Sequence, residues 1–290
     1  MNRPTVTIGR RTAKVLLLGA AATAAAGSTA AVAGTAPAPL PAAFRSQTLV
    51  SPAVVGYPPH AFLTNAHAIS GIDPDLSVAL GGPLGQKVHL QVASFENSLL
   101  GLQRGTYFMV TGSDITASRE KTFDMVSYLA DHYEFMSLAS KPAIGPAVTS
   151  LCGLTISTVA ADSSIPVLQS DSKVCTSKGK HAITVTTFPD QGSAVLAVES
   201  GRANATTATV TNLGYVATQS PGKFRLGGPK YNYVYIGIAT KKGNGVAPAL
   251  AKAINVLIKN GTYHKILAKY GVTDDAVARA LVNPNPNVVR

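Results

Sequence analysis

An alternation constrains this chain more than anything else in it: short β-type runs, each followed within a few positions by a helical pattern. Gln47–Val55 reads as a strand. Asp73-Pro74-Asp75-Leu76 opens a helix, with Asp73 as N-cap and Pro74 at the first helical position, where its missing N–H leaves nothing unpaired. Lys87–Ala93 reads as a strand, Phe95–Arg104 as a helix offering Leu99, Leu100 and Leu102 to a core, and Tyr107–Thr111 as another strand. The rhythm returns with strands at Leu154–Ala160, His181–Phe188 and Ala203–Thr209. Between them lie helices at Asp162–Ser170 and Asp190–Ser200, the second stopped by Gly201. Tyr233–Thr240 is an apolar strand that leads back. Ala247, Leu250, Ala251, Ile254, Leu257 and Ile258 then share one helical face, which Gly261 ends. Tyr263–Lys269 and Asp275–Leu281 read as short helices, and the tail from Asn283 as frayed. Repeated strand–helix units bury their apolar faces as a mainly parallel sheet flanked by helices, so the fold class is α/β.

The N-terminal segment bears on compartment. Arg3, Arg10, Arg11 and Lys14 precede an alanine-rich apolar stretch from Val15 to about Ala26, and Ala31-Val32-Ala33 offers a small-x-small cleavage pattern. This is the layout of a signal peptide over residues 1–33, too short in its apolar part for the roughly 20 residues of a membrane span. The Arg10-Arg11 pair also suits a twin-arginine signal. Without this segment the formal charge falls from +11 to +7 and residues 34–290 remain, enough for two domains. The remaining basic residues are scattered, with no run of Lys and Arg interleaved with aromatics, so no nucleic-acid partner is expected. Cys152 and Cys175, 23 positions apart in a chain expected to be exported, read as a disulfide worth roughly 3 kcal/mol; no ligand set for a metal accompanies them. Neither cysteine lies where a lipid anchor would be attached, so the expected product is periplasmic or secreted and free of lipid. Residues 34–46, rich in Ala and Pro, read as a flexible leader.

Several segments, in order, resemble those of the family 3 extracellular solute-binding proteins, which serve polar amino-acid ABC transporters. They are Tyr57-Pro58-Pro59 with Phe62, Gly71-Ile72-Asp73-Pro74-Asp75-Leu76, Phe95 with Leu99-Leu100-Gly101-Leu102, and Asp114-Ile115-Thr116-Ala117-Ser118-Arg119. Leu151-Cys152-Gly153, Ser200-Gly201-Arg202-Ala203, Tyr235-Ile236-Gly237-Ile238-Ala239 and Gly261-Thr262-Tyr263 continue the series. No single segment is specific; the ordered set, over about 230 residues, is. The resemblance implies a type II periplasmic-binding-protein-like fold of two lobes. Residues 47–138 begin the first lobe, 139–234 form the second, and 235–290 return to the first. It also implies crossing strands near Ser137–Pro142 and Tyr233–Ile238, a ligand in the cleft between the lobes, a permease of an ABC transporter as partner, no cofactor, and a monomer.

The resemblance makes Arg119 the clamp for a ligand carboxylate, with Thr116 in the same loop, and Tyr57 and Phe95 aromatic walls. A surface role for Arg119 and core roles for the aromatics are the plain alternatives. Asp114 stands where many relatives carry a small hydroxyl residue; it either accepts from a ligand ammonium or orients Arg119. His60, in place of the usual aromatic after the prolines, is a weaker candidate. The second lobe departs from the pattern. Ala161-Asp162 replaces Gly-Thr, Thr209 replaces the aspartate that binds an α-ammonium, Asn204 replaces a strand aspartate, and Phe108 replaces an acid in the first lobe. Either Asp162 takes over the ammonium contact, from an N-cap position, or the ligand lacks an α-ammonium. Two other functions use the same scaffold. One is an exported dehydratase of cyclic acids, for which Asp114 and Asp162 would be the acid–base candidates; the other is a sensory or scavenging protein without a permease.

Overall fold

The computed structural model describes residues 39–286; the expected signal peptide, the first part of the leader and the last residues of the tail lie outside the described residues. In chain order the elements are β1 (Leu49–Ala53), β2 (Phe62–Leu63), β3 (Ile69–Ser70), α1 (Ile72–Leu84), β4 (Val88–Val92), α2 (Phe95–Arg104) and β5 (Val110–Asp114). Next come α3 (Ala117–Thr122), β6 (Phe123–Leu138), β7 (Thr155–Val159), α4 (Ser164–Ser177), β8 (Thr184–Phe188), α5 (Gln191–Glu199) and β9 (Ala205–Thr209). Then follow α6 (Val210–Gln219), β10 (Phe224–Lys241), α7 (Val246–Lys259) and α8 (Thr262–Lys269).

Local chemistry explains several boundaries. The Ser94 hydroxyl accepts the Asn97 N–H and starts α2 at Phe95, and Asp190 does the same for α5 through the Ser193 N–H. The helix start expected at Asp73 lies earlier. Gly71 is the N-cap, and Asp73 is buried inside α1, where its carboxylate accepts from Tyr128 instead of capping. The apolar stripe of α7 turns inward: Leu250, Ile254 and Leu257 are buried, contributing about 2 kcal/mol each. Leu102 is buried under α2, whereas Leu100 faces solvent.

β1 pairs with β4 in parallel, and β7 lies parallel to both β8 and β9. The two long strands, β6 and β10, pair antiparallel with each other and with their outer neighbours β9 and β5, giving the order β5-β10-β6-β9-β7-β8. The sheet is therefore mixed, not mainly parallel, because the two strands that traverse both halves run in opposite directions. Apolar packing falls into groups on either side of Tyr133. One group joins α1, α7, α8 and the first half of β6. The others gather Phe135, Leu151, Ile156 and Leu168, and Met136, Leu213 and Phe224. The sheet thus carries two lobes. Ser137 pairs with Ala205 and Arg225, within the sheet of the second lobe, while the register between β6 and β10 shifts around Tyr231 and Val234. Cys152 and Cys175 form a disulfide that ties the start of the second lobe to the end of α4.

Three further expectations change. Residues 40–46 are not a loose leader: Leu40 is buried and the Phe44 ring packs edge-on against Phe108 at 5.5 Å. Residues 276–282 are not helical: isolated bridges join Ala276 to Leu129 and Val282 to Val126 along the edge of β6, with bends at Ala278 and Arg279 between them. Asn283, expected to be frayed, accepts the Met125 N–H at 2.8 Å and donates to Asp124.

Candidate functional site

Four strands end, and four helices begin, at the line between the lobes. β5 delivers Asp114, β7 leads through Ala161 to Asp162, β8 leads to Asp190, and β9 ends at Thr209. This is where an α/β sheet exposes strand C-termini and helix N-termini to a ligand. The residues at these ends line a narrow cleft between the lobes.

Arg119 projects from α3 into the cleft. Its Nη1 donates to the Asp114 carbonyl and its Nη2 to the Ala161 carbonyl, both at 3.0 Å, so one guanidinium touches both lobes. The guanidinium carbon stands 5.0 Å above the centre of the Phe95 ring, a cation–π contact that fixes its plane. Thr116 supports it from behind: its hydroxyl caps α3 by accepting the Arg119 N–H at 3.2 Å. Thr116 itself does not line the cleft; it borders a shallow depression with Asn232 and Tyr233.

Beside Arg119, whose Nη1 lies 3.6 Å from Asp114 Oδ2, two carboxylates crowd together. The Tyr133 hydroxyl lies 2.7 Å from Asp114 Oδ2 and 3.1 Å from Asp162 Oδ2, and Ser163 also donates to Asp114. The Tyr133 hydroxyl has a single proton, so it cannot fully satisfy both acids. Burial, and then the charge of Asp114, push the Asp162 carboxyl up to about 6. Asp162 still holds the N-terminus of α4, accepting the Ser164 N–H at 2.7 Å, but Ser163 takes the N-cap position expected for Asp162.

On the far wall His60 and Asp73 form a buried pair at 3.4 Å. Burial pulls the imidazole down, but Asp73 and more distant acids outweigh it, and the His60 pKa ends above its ordinary value. Tyr57 closes the floor, its hydroxyl 3.2 Å from Thr209 Oγ1 and accepting the Thr209 N–H at 3.1 Å across the lobes. The Asn212 amide likewise donates to the Pro58 carbonyl at 2.6 Å. The lobes are therefore joined by direct hydrogen bonds on both sides of the cleft.

Of the residues singled out from the sequence, Tyr57, Phe95, Asp114, Arg119, Asp162 and Thr209 line this one cleft, as does His60; Thr116 does not. Asn204 lies away from it, accepting the Thr155 N–H at 2.7 Å. Sequence reasoning missed Tyr133, Asp190 and Gln191, which also line the cleft. A signal for the last two was present: the Asp190 helix start follows β8 much as Asp162 follows β7.

Fold and cleft together define a two-lobed extracytoplasmic binding protein. Residues 53–273 match the family described as bacterial extracellular solute-binding proteins, family 3, and the chain belongs to that family. The arginine-binding protein ArgT of Corynebacterium glutamicum is 28% identical over 236 residues, covering 79% of this chain and 76% of that protein. An ancestral arginine-binding protein solved with arginine superposes with a TM-score of 0.69 at 26% identity, over 77% of this chain and 97% of the other. A putative L-cystine ABC transporter protein from Listeria monocytogenes gives 0.70 at 22% identity, over 80% and 99%. The protein captures a small amino-acid-like ligand outside the cytoplasm and delivers it to an ABC transporter. No helix among the described residues is long and apolar enough to cross a membrane.

Proposed function

We propose that the ligand is an α-amino acid with a cationic side chain, bound without turnover and passed to a permease by a monomeric, signal-peptide-exported protein. The observation that carries this reading is charge. Asp73, Asp114, Asp162 and Asp190 line the cleft, against Arg119 as the one permanently charged cation among the described lining residues. Even with Asp73 matched by His60, negative charge is in excess. A neutral zwitterion would leave it so; a ligand of net charge +1 reduces it. Arg119 takes the α-carboxylate and the Asp114–Asp162 pair takes the α-ammonium, so that Asp162 replaces the aspartate absent at Thr209. Tyr57 and Phe95 flank the ligand, and Thr116 positions Arg119. The lobes meet along β6 near Asp131–Tyr133 and along β10 near Tyr231–Val234. Support also comes from the arginine-binding names of the relatives at 26–28% identity.

Titration calorimetry against L-arginine, L-lysine, L-glutamine and L-glutamate tests the reading. The cationic pair should bind at least tenfold tighter than L-glutamine, with no measurable binding of L-glutamate. Equal or tighter binding of L-glutamate overturns it.

A further inference from the structure

With the α-groups assigned to Arg119 and to Asp114 with Asp162, the cleft keeps one polar corner unused, at the start of α5. Gln191 is 1% exposed. Its Nε2 lies 2.9 Å from Thr206 Oγ1, and the Thr206 hydroxyl spends its own proton on the Ser157 carbonyl at 3.0 Å. Thr206 can therefore only accept from Gln191, which fixes the amide: nitrogen toward Thr206, oxygen away from it. That Oε1 is buried and has no hydrogen-bond partner among the described residues, although Gln191 lines the cleft. A buried acceptor left unpaired is costly, so the position favours a donor that arrives with the ligand.

Asp190 stands beside it. Its two oxygens accept from the Ser193 N–H at 2.8 Å and the Ser193 hydroxyl at 3.0 Å, and each retains a second lone pair. Across the cleft stands Gly56, where an added Cβ would come within 3.0 Å of the Asp190 Cβ. Asp73 on the other acid wall is matched by His60 and also holds Tyr128 on its Oδ1, whereas Asp190 has no ion-pair partner among the described residues. What remains open is a corner of acceptors only, one charged and one neutral, on adjacent residues. A planar guanidinium presents N–H groups in a fixed fork that can meet two neighbouring acceptors at once; an ammonium does so with less directional fit.

We propose that Asp190 and Gln191 are specificity-determining residues that read the distal guanidinium of the ligand, an assignment that rests on the cationic-amino-acid reading above. The test compares L-arginine with L-citrulline, which has nearly the same shape but replaces the guanidinium by a neutral urea group. Calorimetry on the full exported protein gives the ratio of their affinities. Asp190→Asn keeps a residue able to cap α5, and Gln191→Met keeps the volume while removing the free oxygen. Asp190→Asn should lower the L-arginine to L-citrulline ratio at least tenfold, and Gln191→Met should weaken L-arginine itself at least tenfold, since the urea also has N–H donors for that oxygen; the thermal midpoint confirms a folded protein. If both variants fold and bind L-arginine with the wild-type affinity and ratio, the assignment is overturned, while a wild-type preference for L-arginine over L-glutamine would leave the cationic reading standing. If the wild-type protein prefers no cationic amino acid, that reading fails and this one with it.

Discussion

Ala161 turns the chain at the mouth of the second lobe with φ 64, in the left-handed region that side-chain-bearing residues avoid. The turn aims its carbonyl at Arg119. Ala161→Gly relieves a strain of about 1–2 kcal/mol but loosens the unfolded chain, so the net gain should be about 0.5–1 kcal/mol in denaturant unfolding. Arg119→Ala acts on binding, not on folding. It leaves a desolvated ligand anion facing carboxylates and should weaken binding by about 2–5 kcal/mol, with an unchanged circular dichroism spectrum. Wild-type affinity in a folded variant would remove Arg119 from the site. Arg119 was legible in the sequence because the segment from Asp114 to Arg119, leading from a strand end into a helix, resembles the family's pattern. Tyr133 was not legible. Its role depends on Asp114 and Asp162, which lie far from it in sequence and meet it only after both lobes form.

Elements with local signals were readable, and elements defined by distant partners were not. α2 begins and ends where its serine cap and Gly105 predict. β6 escaped because Asp124, Asp131, His132 and Glu134 break its apolar run, and a strand buried on both faces shows no alternation. Residues 276–282 carry helix-like spacing at Val277 and Ala280, yet bridges to β6 at Ala276 and Val282 keep the segment from winding into a helix. For the same reason the register of β5 starts three residues later than Tyr107: Tyr107, Phe108 and Met109 are buried on the approach to the sheet. The disulfide is an element-scale device that closes a loop of 23 positions. Replacing both Cys152 and Cys175 by Ser should lower stability by about 3 kcal/mol, measured by chemical denaturation. A loss below 0.5 kcal/mol would show that helix packing alone holds that edge.

At the scale of the molecule, protons and closure are linked. In the closed state burial and the charge of Asp114 push the Asp162 carboxyl up to about 6, above its ordinary 3.8. That state binds more protons between these values than the unfolded chain, so this group's contribution to ligand-free stability falls as pH rises through that window. A cationic ligand favours the carboxylate and displaces the proton. Affinity should therefore drop as pH falls below 6, by up to about tenfold per unit, and binding at pH 5 should release protons measurable by calorimetry in two buffers. A flat profile between pH 5 and 7 would remove Asp162 from the ammonium contact. The cross-lobe bonds of Arg119, Tyr57 and Asn212 require the lobes to be close. Small-angle scattering should accordingly show a smaller radius of gyration with saturating L-arginine than without ligand. Equal radii would argue against hinged closure.

The way the chain threads the two lobes also imposes an order on their assembly. The buried core of the second lobe, from Phe135 to Phe224, is contiguous in sequence, while the first lobe gathers Leu40 together with Tyr263 and Val277. A nascent chain that has emerged only as far as β10 holds a complete set of partners for one lobe and half a set for the other. The segment made first therefore waits for the segment made last. A stalled or C-terminally clipped product should carry a folded inner lobe on an open outer one, with the binding cleft never formed.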